Sequence, residues 1–154
     1  MQNETKTPLV QNVYYGIGVA FIVLGGMVAA FAGPLQFEKG SWLAAYLVLI
    51  LGVAQCILSR QSEFLGLTPP ATNPTILRIA AWNLGNALVI TGALSSQPII
   101  SDIGGVLLII ALVLALLDTR GSNHKIQAGI LRAIYLILIV SIPIGLTLTH
   151  LRSI

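Results

Sequence analysis

Residues 98–117 read PIISDIGGVLLIIALVLALL, twenty positions with one charged group, Asp102. A helix rises about 1.5 Å per residue, so a run of this length covers the ~30 Å hydrocarbon core of a bilayer. Turn-forming residues bound it on both sides: Ser95-Ser96-Gln97 before, Gly121-Ser122-Asn123 after. Four other stretches have the same character, Val10–Ala32, Ser41–Ser59, Thr75–Ser96 and Ile126–Thr149. Gly33-Pro34, Thr68-Pro69-Pro70 and Asn73-Pro74 separate them. The pattern predicts an all-α, polytopic transmembrane bundle of five helices in a single domain, at about 10–32, 41–59, 75–96, 98–117 and 126–149.

Composition points the same way. Charged residues make up 8% of the 154, against roughly a quarter in an ordinary soluble domain. Apolar residues account for 56%, which leaves too little polar surface to cover a water-soluble fold. The expected partner of the helices is therefore the lipid bilayer. The formal charge of +3 comes from eight scattered Lys and Arg, with no basic run interleaved with aromatics, so nucleic acid is not expected as a partner. One cysteine, Cys56, permits no internal disulfide and no multi-thiolate metal site.

The connection at residues 95–98 is so short that the third and fourth helices must be antiparallel neighbours. Residues 60–74 give a longer connection, whose Phe64-Leu65-Gly66-Leu67 stretch is expected to rest on the membrane surface. Counting Lys and Arg on alternate sides places Lys6, Arg60, Arg78, Arg120, Lys125 and Arg132 together, with Lys39 and Arg152 opposite. That bias predicts a cytoplasmic N-terminus and an external C-terminus in a plasma or inner membrane. Trp42 would then lie at the outer interface, and Tyr14 and Tyr15 near the inner one. An alternative is signal cleavage after Ala30-Phe31-Ala32, leaving four helices. Against it, the apolar stretch exceeds the usual ~7–15 residues and its leader carries one Lys.

Chemistry-bearing motifs are sparse. His124 and His150 stand most of a bilayer apart and cannot ligate one centre, so no metal and no cofactor is expected. No carboxylate lies deep in a span, which argues against a proton-coupled carrier. No phosphate-binding loop, dinucleotide turn or converging Ser/His/Asp set is present, so the chain does not read as an enzyme. Asn3-Glu4-Thr5 spells a glycosylation acceptor on the expected cytoplasmic side, where it is inert.

The uncharged polar residues are more informative. Gln55, Asn83, Asn86, Arg132 and Tyr135 fall in the inner half of their helices, where they would line a cytoplasm-facing pocket or join helices by hydrogen bonds. Gly25, Ala29 and Gly33, and Ala81 with Gly85, form rows at four-residue spacing suited to close helix packing. Pro143 is expected to kink the fifth helix. The Trp42–Gly52 spacing repeats at Trp82–Gly92, which raises an inverted repeat as a further option. The reading that follows is a structural or accessory subunit of a membrane protein complex, with other membrane subunits or copies of itself as partners. The alternative is a transporter or channel protomer for a small uncharged or anionic solute.

Overall fold

The computed structural model describes residues 6–68 and 72–152, and among these there are helices and turns but no strand. The glycosylation triplet and the Pro69-Pro70 pair lie outside the described residues. The helices are α1 (Lys6–Ala32), α2 (Gly40–Phe64), α3 (Thr72–Leu94), α4 (Pro98–Asp118) and α5 (Lys125–Arg152), with a single 3₁₀ turn at Thr119–Gly121. All five are long and apolar enough to cross a membrane.

Two ends differ from the apolar runs for visible reasons. Helix α2 continues past Ser59 to Phe64. The polar residues 60–63 do not break a helix, and the first breaker is Gly66 at φ +61°. Helix α3 stops at Leu94 because Ser96 takes a left-handed conformation, φ +56°, and the Gln97 amide donates back to the Gly92 carbonyl at 2.8 Å. This is the six-to-one bond of a Schellman cap, with serine where glycine is usual. Gln36 (φ +50°) and the Phe37 amide, which donates to the Ala32 carbonyl at 2.9 Å, repeat the device after α1.

The helices group into two compact units, residues up to Ser62 in the first and Glu63–Thr68 with the chain from Asn73 onward in the second. In the first unit α1 and α2 meet through glycines. A Cβ on Gly25 would lie 2.6 Å from Val48 Cγ2 and 2.9 Å from the Ala44 carbonyl oxygen. One on Gly18 would lie 2.8 Å from Cys56 Sγ and 3.1 Å from the Gly52 carbonyl. Ala32 packs on Gly40, and Ile22 on Gly52. The α2 partner of this row is wound as a π-helix from Leu47 to Ala54, a wide-turn form that is rare over such a length.

The close contact thus runs through Gly18, Gly25 and Ala32, seven residues apart, while Ala29 and Gly33 are exposed and nothing lies within 4 Å of a Cβ at Gly33. Helix geometry explains the difference. A step of four residues turns about 40° around the axis, so a four-residue row leaves the contact face within two steps; a step of seven turns back only about 20°.

The second unit follows the same rule. Gly85 and Gly92 of α3 meet α4 at Gly104, Leu108 and Ser101, whereas Ala81 is half-buried. These pairings run in opposite directions along the two helices, so α3 and α4 are antiparallel neighbours. Along α4 the buried stripe is Ser101, Gly104, Leu108, Ala111 and Ala115, alternating steps of three and four as in coiled-coil packing. Gly105 opens the next face to Ile142 and Leu146 of α5. Helix α5 presents Ala128, Leu131 and Tyr135 inward and runs unbroken through Pro143, with Thr147 Oγ1 donating to the Pro143 carbonyl.

Many outward positions carry large apolar side chains: Val23, Met27 and Phe31 on α1, Leu77 and Leu84 on α3, Ile130, Ile137 and Val140 on α5. Leu65, read as part of a surface-resting stretch, is instead buried. Its carbonyl accepts from Ser122 Oγ at 2.9 Å, and the His124 ring lies over Gly66, where a Cβ would sit 2.7 Å from Nε2.

Replacing Gly25 by Leu should lower the thermal midpoint in mild detergent, because the side chain must displace the Ala44 backbone; such overpacking costs about 1–3 kcal/mol. Ala29→Leu should leave the midpoint within measurement error. Thermal unfolding of the two variants beside the parent checks the seven-residue register, and equal losses would contradict it.

Candidate functional site

Gln55 belongs to the first unit, and Asn83, Asn86, Arg132 and Tyr135 to the second. Gln55 follows the π segment directly and is fully buried. Its Nε2 donates to the Tyr14 carbonyl of α1 at 3.2 Å, while Oε1 is buried with no donor among the described residues. One residue on, Cys56 Sγ approaches the Tyr15 carbonyl at 3.8 Å, and the Arg60 guanidinium sits 4.9 Å from the centre of the Tyr15 ring. Tyr14, expected near the membrane interface, is buried; Tyr15 is exposed. Helix α2 therefore grips α1 by polar contacts on two successive carbonyls at one end and by glycine contacts over the rest.

In the second unit the two asparagines turn back on their own helix. Asn83 Nδ2 donates to the Ile79 carbonyl at 2.9 Å and Asn86 Nδ2 to the Trp82 carbonyl at 2.8 Å, each one turn earlier. The i−4 carbonyl keeps a second lone pair after its ladder bond and is the nearest acceptor to a short side chain. Asn86 is fully buried and makes a further interaction besides.

Arg132 is committed to the end of α4. Its Nε donates to Thr119 Oγ1 at 2.8 Å and its Nη2 to the Thr119 carbonyl at 3.0 Å. Thr119 is fully buried, and its hydroxyl donates to the Leu116 carbonyl at 2.7 Å. The last carbonyls of a helix lack amide donors and carry partial negative charge, so a guanidinium here satisfies both needs. Tyr135, one turn from Leu131 on the buried face, has its own partner and lies close enough to Arg78 and Asp118 to feel both charges.

The residues that sequence reading passed over are Arg78, Asp118 and Trp82. Arg78 Nη1 donates to Asp118 Oδ2. A signal was available: Arg78 stands three residues inside the run read at 75–96 and Asp118 one residue beyond the run read at 98–117, so on antiparallel neighbours both fall at the same end of the pair. Trp82, one turn beyond Arg78, is 1% exposed, and among the described residues its Nε1 has no acceptor. Trp42, its counterpart in the suggested repeat, is 40% exposed and pairs with Tyr46 at a ring distance of 5.2 Å. The two tryptophans thus have unlike environments.

At the opposite end of this unit His150 Nε2 meets Asp102 Oδ2 at 3.0 Å. Among the described residues no group of three His, Cys, Asp or Glu is placed to hold a metal ion. Compared with known protein families, curated proteins and solved structures, the chain matches none.

Gln55→Met keeps the length of the side chain and removes the donorless carbonyl. Tyr14 retains its helical bond, so the variant should be as stable as the parent or more stable, by up to about 1–2 kcal/mol. Thermal unfolding in detergent checks this; a clear loss of stability would show that Oε1 has a partner in the bilayer.

Proposed function

We propose that the chain is a small accessory subunit of a membrane protein complex, with its N-terminus in the cytoplasm and its C-terminus outside. The observation that carries this reading is the outward face of α1. Gly26, Ala30 and Gly33 are exposed there at steps of four and three, and a Cβ on either glycine would meet nothing within 4 Å. On α5, Gly129 and Gly145 are equally open. Lipid tails pack against leucine as well as against glycine, so small residues facing outward gain their value when another helix backbone comes close.

The polar residues support the same reading. A solute pathway needs polar groups with free capacity, and here Asn83 and Arg132 are engaged within their own unit, while Asn86 bonds its own helix. The Arg132 bonds hold the end of α4, and the asparagine bonds stay within α3. The Lys and Arg distribution supports the orientation.

Mild-detergent purification of the tagged chain from native membranes should yield stoichiometric membrane partners. Gly26→Leu together with Gly33→Leu should cut their recovery at least fivefold while leaving the thermal midpoint of the isolated chain unchanged. Recovery of the chain alone, with solute flux in proteoliposomes, would overturn the accessory role in favour of a carrier or channel.

A further inference from the structure

A histidine and a carboxylate join two helices at the end of the second unit opposite Arg78 and Asp118. His150 Nε2 lies 3.0 Å from Asp102 Oδ2, with the side chains 50% and 41% exposed, so water and protons reach both. Asp102 stands one turn into α4, which begins at Pro98. His150 stands in the last turn of α5, which ends at Arg152.

The backbone makes this contact matter. Pro143 has no amide to give the Ile139 carbonyl, so the stretch of α5 beyond it is tied to the rest of its helix by one bond fewer. Leu146 packs that stretch on α4 at Gly105, and His150 holds it at Asp102, one turn further on. Elsewhere the stretch faces outward: Ile144 is exposed, and a Cβ on Gly145 would meet nothing within 4 Å.

Charge at this end is sparse. Among the described residues of the unit, its charged or titratable side chains are those of Asp102 on α4 and of His150 and Arg152 on α5. The adjoining end of α3 and the turn Ser95-Ser96-Gln97 carry none. His150 makes a further interaction as well. Arginine keeps its charge over the accessible range, whereas histidine is the side chain that changes charge between about pH 5 and 8. A neutral imidazole donates from Nε2 in one tautomer only, and the other turns a lone pair toward the carboxylate. An imidazolium donates from both nitrogens and adds its charge to the bond.

We propose that His150 and Asp102 form a pH-operated tie, which holds the end of α5 against α4 in acid solution and loosens as the pH rises past neutrality. In the orientation proposed above, this end faces outside and the tie answers to external pH.

The test is dipolar electron paramagnetic resonance of the full chain in nanodiscs, which leave both faces open to buffer and so make the result independent of orientation. Nitroxides are attached through Ile103→Cys and Thr147→Cys in a Cys56→Ser background. From about pH 5.5 to about pH 8 the ratio of close to separated spin pairs should fall about two- to fivefold, the range an exposed ion pair supports. Asp102→Asn should show the separated state at both pH values. His150→Lys, whose ammonium stays charged throughout, should show the close state at both. Both side chains are about half exposed, so neither substitution disturbs the packed interior. A spin-pair ratio in the otherwise unsubstituted chain that is the same at both pH values would overturn the tie. A pH response that survives in Asp102→Asn would overturn it too, by tracing the response to the other interaction of His150.

Discussion

A chain whose outward side chains are Val, Leu, Ile, Met and Phe along every long helix has no stable arrangement in water, and hydrocarbon sets the terms for everything else in this structure. In hydrocarbon no solvent is at hand to take up unpaired backbone amides and carbonyls, so each span must satisfy its own, and helices do so. Burial of apolar side chains also ceases to drive helices together, since lipid tails are as apolar as leucine. Attraction then depends on how closely two backbones can approach. Gly18, Gly25 and Gly52 in one unit, and Gly85, Gly92 and Gly104 in the other, supply that approach.

The polar side chains follow from the same constraint. A buried polar group costs free energy unless bonded, and the groups present are placed where the backbone offers spare acceptors. Gln55 reaches a carbonyl of the neighbouring helix, the asparagines reach back one turn, and Arg132 closes the carbonyl end of α4. Among the described residues, buried donors on Arg78, Trp82 and Ser101 are left without a partner.

The five helices were legible in the sequence because long apolar runs between Gly, Pro and Ser are unambiguous at bilayer length. The packing face of α1 was not. A spacing of four names plausible small residues, but the helix drifts, and only Gly25 of the row Gly25, Ala29 and Gly33 lies on the contact face. Partners of Asn83, Asn86 and Arg132 were illegible for a different reason. A side chain's choice between its own helix, a neighbour and a cavity depends on distances of a few tenths of an ångström. The pairing of Arg78 with Asp118 lay between these cases, since opposite charges at the same end of antiparallel neighbours foretell it once the short residue 95–97 turn is recognised.

The account stands on five crossings, an odd number, so the connection after two spans and the chain's end after five must face opposite sides. Reporter proteins active only in the cytoplasm or only outside it, fused within residues 60–74 and after Ile154, measure this directly. The account predicts cytoplasmic activity for the first fusion and external activity for the second. Both fusions reporting the same side would contradict it.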